Sequence, residues 1–235
     1  MLKRLLDLVG GAAGLAVSLP LIAVAALAVW LQDGKPPIYV SSRIGQHGLA
    51  FKVWKLRTMA VGADKAGRHT ISSDDPNVTA LGRLLRKYKI DELLQFGHVL
   101  AGQMSLVGPR PNVKAAVDRY TPEERRILSV KPGITDFASI VFSDLDELMA
   151  GSADVNAAYD TRIRPWKSRL SLFYVDHHNM SMDVLLLWYT ALNIINRQAA
   201  LEGVSALLRR HGASAELANF ALREGAVPEA KPPGA

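Results

Sequence analysis

A chain of 235 residues, 49% hydrophobic and 21% charged, has room for one substantial folded domain and an appendage. With no cysteine, disulfides, thiolate nucleophiles and Cys-ligated zinc are excluded. A formal charge of +6 suits anionic partners: a phosphorylated substrate, an anionic membrane surface or nucleic acid.

The first element is apolar. Residues 8–32, "LVGGAAGLAVSLPLIAVAALAVWLQ", carry no charge and as a helix would extend roughly 37 Å, enough to cross a hydrocarbon core of about 30 Å. A cleaved signal, a single span and a re-entrant hairpin compete here. The apolar run exceeds a signal core of about 7 to 15 residues. Pro20, near its centre, removes a helix hydrogen bond and clashes with the carbonyl of Ala16, and Ser18 is close enough to bond a freed carbonyl. Basic residues on both flanks (Lys3 and Arg4; Lys35, Arg43, Lys52, Lys55 and Arg57) favour one cytoplasmic side for both ends. The expectation is a helix–break–helix hairpin over residues 1–34, pivoting at Ser18 and Pro20.

"IYVSSRIG" and "AFKVWKLRTM" read as strands, the second placing Lys55 and Arg57 on one face by alternation. "SSDDPNVTALGRLLRKYK" reads as a loop and an amphipathic helix with Leu81, Leu84, Leu85 and Tyr88 on one side, and "ELLQFGHVLAG" as another helix. "MSLVGPRP" is a strand entering a rigid turn, "TPEERRILSV" a helix start with a Thr cap, "KPGIT" a turn, and residues 183–197 a strongly apolar helix. The catalytic body is expected over 35–198. Residues 199–235 are expected as a helical extension, fraying beyond about 213 into a disordered tail.

No Walker loop, dinucleotide fingerprint or nucleophile elbow is present. His177 and His178, being adjacent, point apart and read as surface or interface residues. What remains is cations at turns: Lys55, Arg57, Arg86, Arg110 between two prolines, and Lys131 before Pro-Gly. Among them lies one adjacent acid pair, Asp91 and Glu92. Such a set describes phosphoryl transfer better than acyl transfer. On a helix the two carboxylates would project about 100° apart, which suits separate roles rather than a shared proton. An aspartate can attack phosphorus, and Mg²⁺ typically takes one or two carboxylates plus phosphate oxygens.

"KRLLD" followed by Pro20, then "RIGQHGLAFKVWKLRTM", "DPNVTALGRLLRKYKIDELLQFGHVLAGQMSLVGPRP", "KPGIT" and "YVDHHNMSMD", in this order from Lys3 to about Thr190, resemble the bacterial monotopic phosphoglycosyl transferases. The resemblance implies a mixed α/β, mainly helical, membrane-associated domain with interfacial amphipathic helices. It implies Asp91 as nucleophile on a nucleotide-diphosphate sugar, UDP-linked, and a polyprenol phosphate as acceptor. Glu92 would bind Mg²⁺, together with Asp91, or act as a base. Arg86 and Arg110, with Lys55 and Arg57 close by, would hold phosphates. The partners are then the donor, the lipid phosphate and the bilayer on the cytoplasmic face of the inner membrane, with no nucleic acid. The oligomeric state is left open. A phosphohydrolase or a basic adaptor are the rival functions. The chain departs from the family pattern at Ser18, Asn77, Lys89, Asp136, Ser139 and Ser171, and the changes after Lys131 put sugar specificity in doubt.

Overall fold

The computed structural model describes residues 1–63, 75–150 and 154–235. The expected loop over "SSDD" falls mostly outside them. In chain order the elements are α1 (Leu2–Asp33), β1 (Ile38–Ile44), β2 (Ala50–Leu56), α2 (Ala80–Lys87), α3 (Gln95–Leu100), β3 (Ser105–Val107), α4 (Lys114–Val117), β4 (Gly133–Thr135) and α5 (Phe137–Val141). They continue with α6 (Leu145–Leu148), α7 (Val155–Ala158), α8 (Arg164–His177), α9 (Met180–Ile195), α10 (Arg197–Arg210) and α11 (Ala215–Phe220). The architecture is mixed and mainly helical, as expected.

α1 differs from the expected broken helix. It is one continuous helix of 32 residues with Pro20 inside it. The Ser18 hydroxyl donates to its own upstream carbonyls, Gly14 at 2.7 Å and Leu15 at 3.3 Å, and not to Ala16. Proline therefore removes one hydrogen bond without ending the helix; the neighbouring turns carry it through. By length and composition α1 can cross or anchor in a membrane, and Val17, Leu19, Leu21, Val24, Leu27 and Leu31 are exposed on it.

Both ends of α1 are fastened to the globular body. At the start, Lys3 Nζ donates to Asp183 Oδ2 (2.6 Å), the Val107 carbonyl and the Tyr174 hydroxyl. Arg4 donates to the carbonyls of Val99 (2.7 Å) and Leu100 (2.8 Å), satisfying the open end of α3. Asp7 accepts from Ser105 Oγ and Leu106 N. At the other end Gly34, with φ 68°, donates its N–H to the Trp30 carbonyl and stops the helix. There Arg57 grips Asp33 through both carboxylate oxygens.

The main core gathers α5, α8, α9 and α10 against the short parallel pair β3–β4, with Phe137, Leu170, Tyr174, Met182, Leu186, Leu201 and Leu208 all buried. Gly108 and Gly133 allow that pair to close, since a Cβ on Gly133 would lie 2.1 Å from the Gly108 nitrogen. A second cluster seats α2 on α1 through Leu85, Ala25, Val29 and Leu56. Of the side that carries Leu81, Leu84, Leu85 and Tyr88, Leu85 is buried while Leu84 and Tyr88 are exposed. α9 buries Met182 and Leu186 while Val184, Trp188 and Ile195 stay exposed, so apolar side chains lie on both its packed and its open faces.

The segment beyond residue 213 is packed rather than frayed. Phe220 stacks on Trp166 with centroids 4.0 Å apart, and Ala218 and Ala221 are buried. Trp166 Nε1 donates to the Pro228 carbonyl, Ala230 N to Thr161, and Thr121 Oγ1 to Pro233. Its composition reads as disordered because the anchoring comes from backbone carbonyls and one aromatic, which carry no sequence periodicity.

Candidate active site

Three elements converge on the acid pair. β2 pairs antiparallel with β1, Lys55 opposite Tyr39, and its last residues approach the turn after α2. α2, capped by the Thr79 hydroxyl, ends at Lys87, and Lys89, in the left-handed region with φ 55°, redirects the chain. Asp91 and Glu92 then lie in a 3₁₀ turn, Ile90–Glu92, ahead of α3. The acid pair is therefore at a tight turn and not in an α-helix. The strand β3 runs into the Pro109–Arg110–Pro111 turn, which aims the guanidinium back at that 3₁₀ turn.

Glu92 is fully engaged. Lys55 Nζ donates to its Oε1 at 2.5 Å; Arg110 donates to its Oε2 at 2.8 Å and also to its Oε1. Burial works to raise the Glu92 pKa, but Arg110 and Lys55 outweigh it and hold the carboxyl well below the usual range. Conversely, Arg110 is raised, chiefly by the Glu92 charge. A carboxylate so held is a weak base and a weak nucleophile.

Asp91 is the contrast. It is buried, and its Oδ1 has no hydrogen-bond partner. Burial and the neighbouring Glu92 charge push its pKa to about 6, against the pull of Lys55, Arg110 and Arg86. A buried carboxylate oxygen left unbonded is expensive unless a reactant or cation meets it.

The remaining expected phosphate ligands separate. Arg86 donates its Nε to Thr58 Oγ1 at 2.9 Å and stays close enough to pull on Asp91. Arg57 does not join the site. β2 ends at Leu56, so strand alternation does not reach it; its guanidinium turns to Asp33 and the Pro36 carbonyl. Ser18 and Pro20 lie inside α1, and neither bonds the acid pair.

Other contributors carry no sequence signal of their own. Arg43, on β1, is close enough to Arg110 and Glu92 to feel both; burial first, then Arg110, lowers its pKa. His98 is buried behind Lys55. Its Nε2 accepts from Trp54 N at 3.1 Å, so Nδ1 carries the proton toward Gln103 Oε1 at 2.8 Å, which bolts α3 to β2. The departures Asp136, Ser139 and Ser171 come together: Asp136 Oδ1 accepts from Ser139 N and Oγ, both at 2.7 Å, and Oδ2 from Ser171 Oγ at 3.2 Å. One carboxylate thus caps α5 and ties it to α8.

No group of three or more His, Asp or Glu side chains converges to hold a metal among the described residues. Both oxygens of Glu92, expected as a metal ligand, are taken by Lys55 and Arg110, so the open carboxylate of the pair is Asp91. A single carboxylate can serve Mg²⁺, which keeps waters and takes substrate phosphate oxygens to complete its shell.

Residues 1–197 match the family model described as bacterial sugar transferase. The chain is 32% identical to an undecaprenyl-phosphate galactose phosphotransferase of Salmonella typhimurium, over 85% of this chain and 41% of that protein. It is 39% identical to a putative undecaprenyl-phosphate N-acetylgalactosaminyl 1-phosphate transferase of Bacillus subtilis, over 52% of this chain and 68% of that protein. It is 33% identical to the uncharacterized sugar transferase EpsL of Bacillus subtilis, over 83% of this chain and 88% of that one. The chain thus spans about four tenths of the first of these relatives and nearly nine tenths of the last.

Proposed function

Because this chain belongs to the bacterial sugar transferase family, we propose that it moves a sugar phosphate from a UDP-linked sugar to a polyprenol phosphate by way of an aspartyl phospho-sugar. The observation that carries this reading is the division within the acid pair: Glu92 is saturated by two cations, while Asp91, one residue away, keeps a free oxygen among positive charges.

In the first step an Asp91 oxygen attacks the sugar-bearing phosphorus. The bond from that phosphorus to the bridging oxygen breaks, and its electron pair leaves with the nucleoside monophosphate. In the second step a phosphate oxygen of the polyprenol phosphate attacks the same phosphorus and the bond to Asp91 breaks, which regenerates the carboxylate. With the lipid phosphate as a dianion no proton has to be removed, so Glu92 is not required as a base. Its low pKa agrees. Glu92 instead fixes Lys55 and Arg110, the cations facing the transferred phosphoryl group, so that they need little reorganisation as charge shifts. Mg²⁺, held by Asp91, would neutralise phosphate charge.

The membrane attachment follows the same economy of position. Since Lys3, Arg4, Asp7 and Asp33 all bind one globular body, both ends of α1 belong on one side of the bilayer. α1 would then lie along the cytoplasmic face with its exposed apolar side chains in the bilayer and without crossing it, which leaves the acid pair beside the lipid phosphate and open to a cytosolic nucleotide sugar.

The test is incubation of the full chain with UDP-sugars, with and without undecaprenyl phosphate. The expected result is a single burst of UMP and a covalent phospho-sugar adduct with donor alone, and continuous UMP release with the lipid present. Steady UMP release without lipid would identify a hydrolase and overturn the reading.

A further inference from the structure

Beyond Arg110 the chain encloses a cleft between the 112–120 segment, α5 and α8. Its charges are almost all paired. Arg110 grips Glu92, Arg164 bonds Glu124 at 2.5 Å, Arg119 bonds Asp160 at 2.5 Å, and Asp136 is satisfied by Ser139 and Ser171. Lys167 is the exception. Its ammonium stands 5.7 Å from the ring centroids of both Phe142 and Tyr159, and no hydrogen bond or ion pair reaches it among the described residues. Cation–π contact offsets only part of the cost of keeping a half-buried cation that no carboxylate bonds directly.

We propose that this cleft takes the nucleotide half of the donor and that Lys167 Nζ receives the phosphate that departs with the nucleoside. The inference rests on the transferase reading above and adds a contact that reading does not need. Three observations support it. Arg110 stands between the acid pair and the cleft, reaching Glu92 on one side and lining the cleft on the other. In-line displacement puts the leaving oxygen on the side of phosphorus away from Asp91, hence toward that cleft. And the free group there is a cation, suited to a phosphate; a neutral sugar would call for unsatisfied acceptors, whereas the Asp136 carboxylate is already bonded. Tyr120 and Tyr159 supply aromatic walls for a base. Lys167 keeps its proton throughout: as the bond between the transferred phosphorus and the bridging oxygen breaks, the ammonium balances the charge that develops on the departing phosphate.

Burial, with Arg110 adding to it, lowers the Lys167 pKa to about 8, which provides a second handle. The charged groups facing it are Arg110, Asp136, Lys89 and Asp146, and the phenol of Tyr159 is pushed up to about 12. Among these groups Lys167 is therefore the one that changes charge between pH 7 and 9.

The experiment measures UMP binding to the full chain in detergent by calorimetry, for the wild type, Lys167→Met and Lys167→Arg. The expected outcome is a Kd at least about tenfold weaker in Lys167→Met, the loss of one charge-assisted contact, with near wild-type binding in Lys167→Arg. Wild-type affinity should fall as pH rises through about 8, and the arginine variant should lose that fall. Unchanged UMP affinity in Lys167→Met overturns the proposal. So does weaker binding of the intact UDP-sugar with UMP binding untouched, which would make Lys167 a reader of the sugar. If Lys167→Met does not fold, persistence of the alkaline fall in Lys167→Arg overturns it alone. A wild type that binds UMP with this pH dependence yet transfers no sugar phosphate would sink the transferase reading and leave the Lys167–phosphate contact standing.

Discussion

Arg57 holds Asp33 through two parallel contacts, Nη2 to Oδ1 at 2.6 Å and Nη1 to Oδ2 at 2.8 Å, and so pins the last residue of α1 to the end of β2. The arginine side chain is 8% exposed and the aspartate 33%, which makes the pair more than a screened surface contact.

Arg57→Ala should therefore lower the melting temperature of the detergent-solubilised chain by several degrees, and Arg57→Lys should restore only part of the loss, since a point charge cannot copy the fork. The KM for the donor should stay within about twofold of wild type. A tenfold rise in KM at unchanged melting temperature would return Arg57 to the phosphate site.

Asp91→Asn should abolish turnover and the covalent adduct, because a neutral amide is a poor nucleophile at phosphorus. It should also stabilise the fold at neutral pH. The Asp91 pKa is raised from 3.8 to about 6 in the folded chain, so the folded state binds the proton more tightly. Its contribution is greatest below the ordinary carboxyl value and is lost as pH rises through about 6. At pH 7 the buried charge opposes folding by at most about 3 kcal/mol, a ceiling set by the size of the shift. A melting temperature that is lower in Asp91→Asn than in wild type would show that the unbonded oxygen is not strained in this way.

Wild-type kcat/KM should fall as pH drops through about 6, as Asp91 takes up a proton. Glu92→Gln should move that acid limb to lower pH, because it removes the Glu92 charge that raises Asp91 and leaves Lys55 and Arg110, which lower it. The same change strips both cations of their counter-ion, so turnover should drop at least about a hundredfold and stability should fall, the reverse of Asp91→Asn. An acid limb that stays near 6 in this variant would mean that another group sets it.

Chelation should stop phosphate transfer and Mg²⁺ should restore it, given the open carboxylate of Asp91 and the phosphate oxygens of the donor. Donor turnover that is unaffected by EDTA, in protein shown by elemental analysis to hold no metal, would remove the ion from the mechanism.

Much of this site was legible because its chemistry sits in short motifs. The Asp91–Glu92 pair, the Pro-clamped Arg110 and the strand end at Lys55 are each a local statement about charge and backbone, and they meet as expected. Arg57 was misread because alternation says which face a residue takes only while the strand lasts, and β2 stops at Leu56. The roles of Lys3, Arg4 and Asp7 were hidden for another reason. Flanking charges read as topology signals, whereas here they bond backbone carbonyls and buried partners some hundred residues away. Pro20 likewise marks a lost hydrogen bond, which a helix packed along one side tolerates.

The fastening of both α1 ends yields a topological prediction. A helix of 32 residues is about 48 Å long, longer than the hydrocarbon core is thick, so a crossing helix would put Met1 and Gly34 on opposite faces. Crossing would require Lys3, Arg4 and Asp7 to give up their bonds to Asp183, Val99, Leu100 and Leu106, leaving the Asp183 carboxylate buried without its cation. With Lys3 36% exposed and Tyr174 still bonding Asp183, that loss falls below the roughly 3–5 kcal/mol of a fully buried pair, to about 1–3 kcal/mol, before the α3 carbonyls are counted. Single cysteines at positions 2 and 36, clean because the chain has none of its own, should both resist a membrane-impermeant thiol reagent in intact cells and both react in inverted vesicles. Weakening the amino-terminal fastening with Arg4→Ala and Asp7→Ala should be the change that exposes position 2 to the outside, with position 36 still protected. External labelling of position 2 while Lys3, Arg4 and Asp7 are intact would show that the helix crosses, and that these bonds do not hold it.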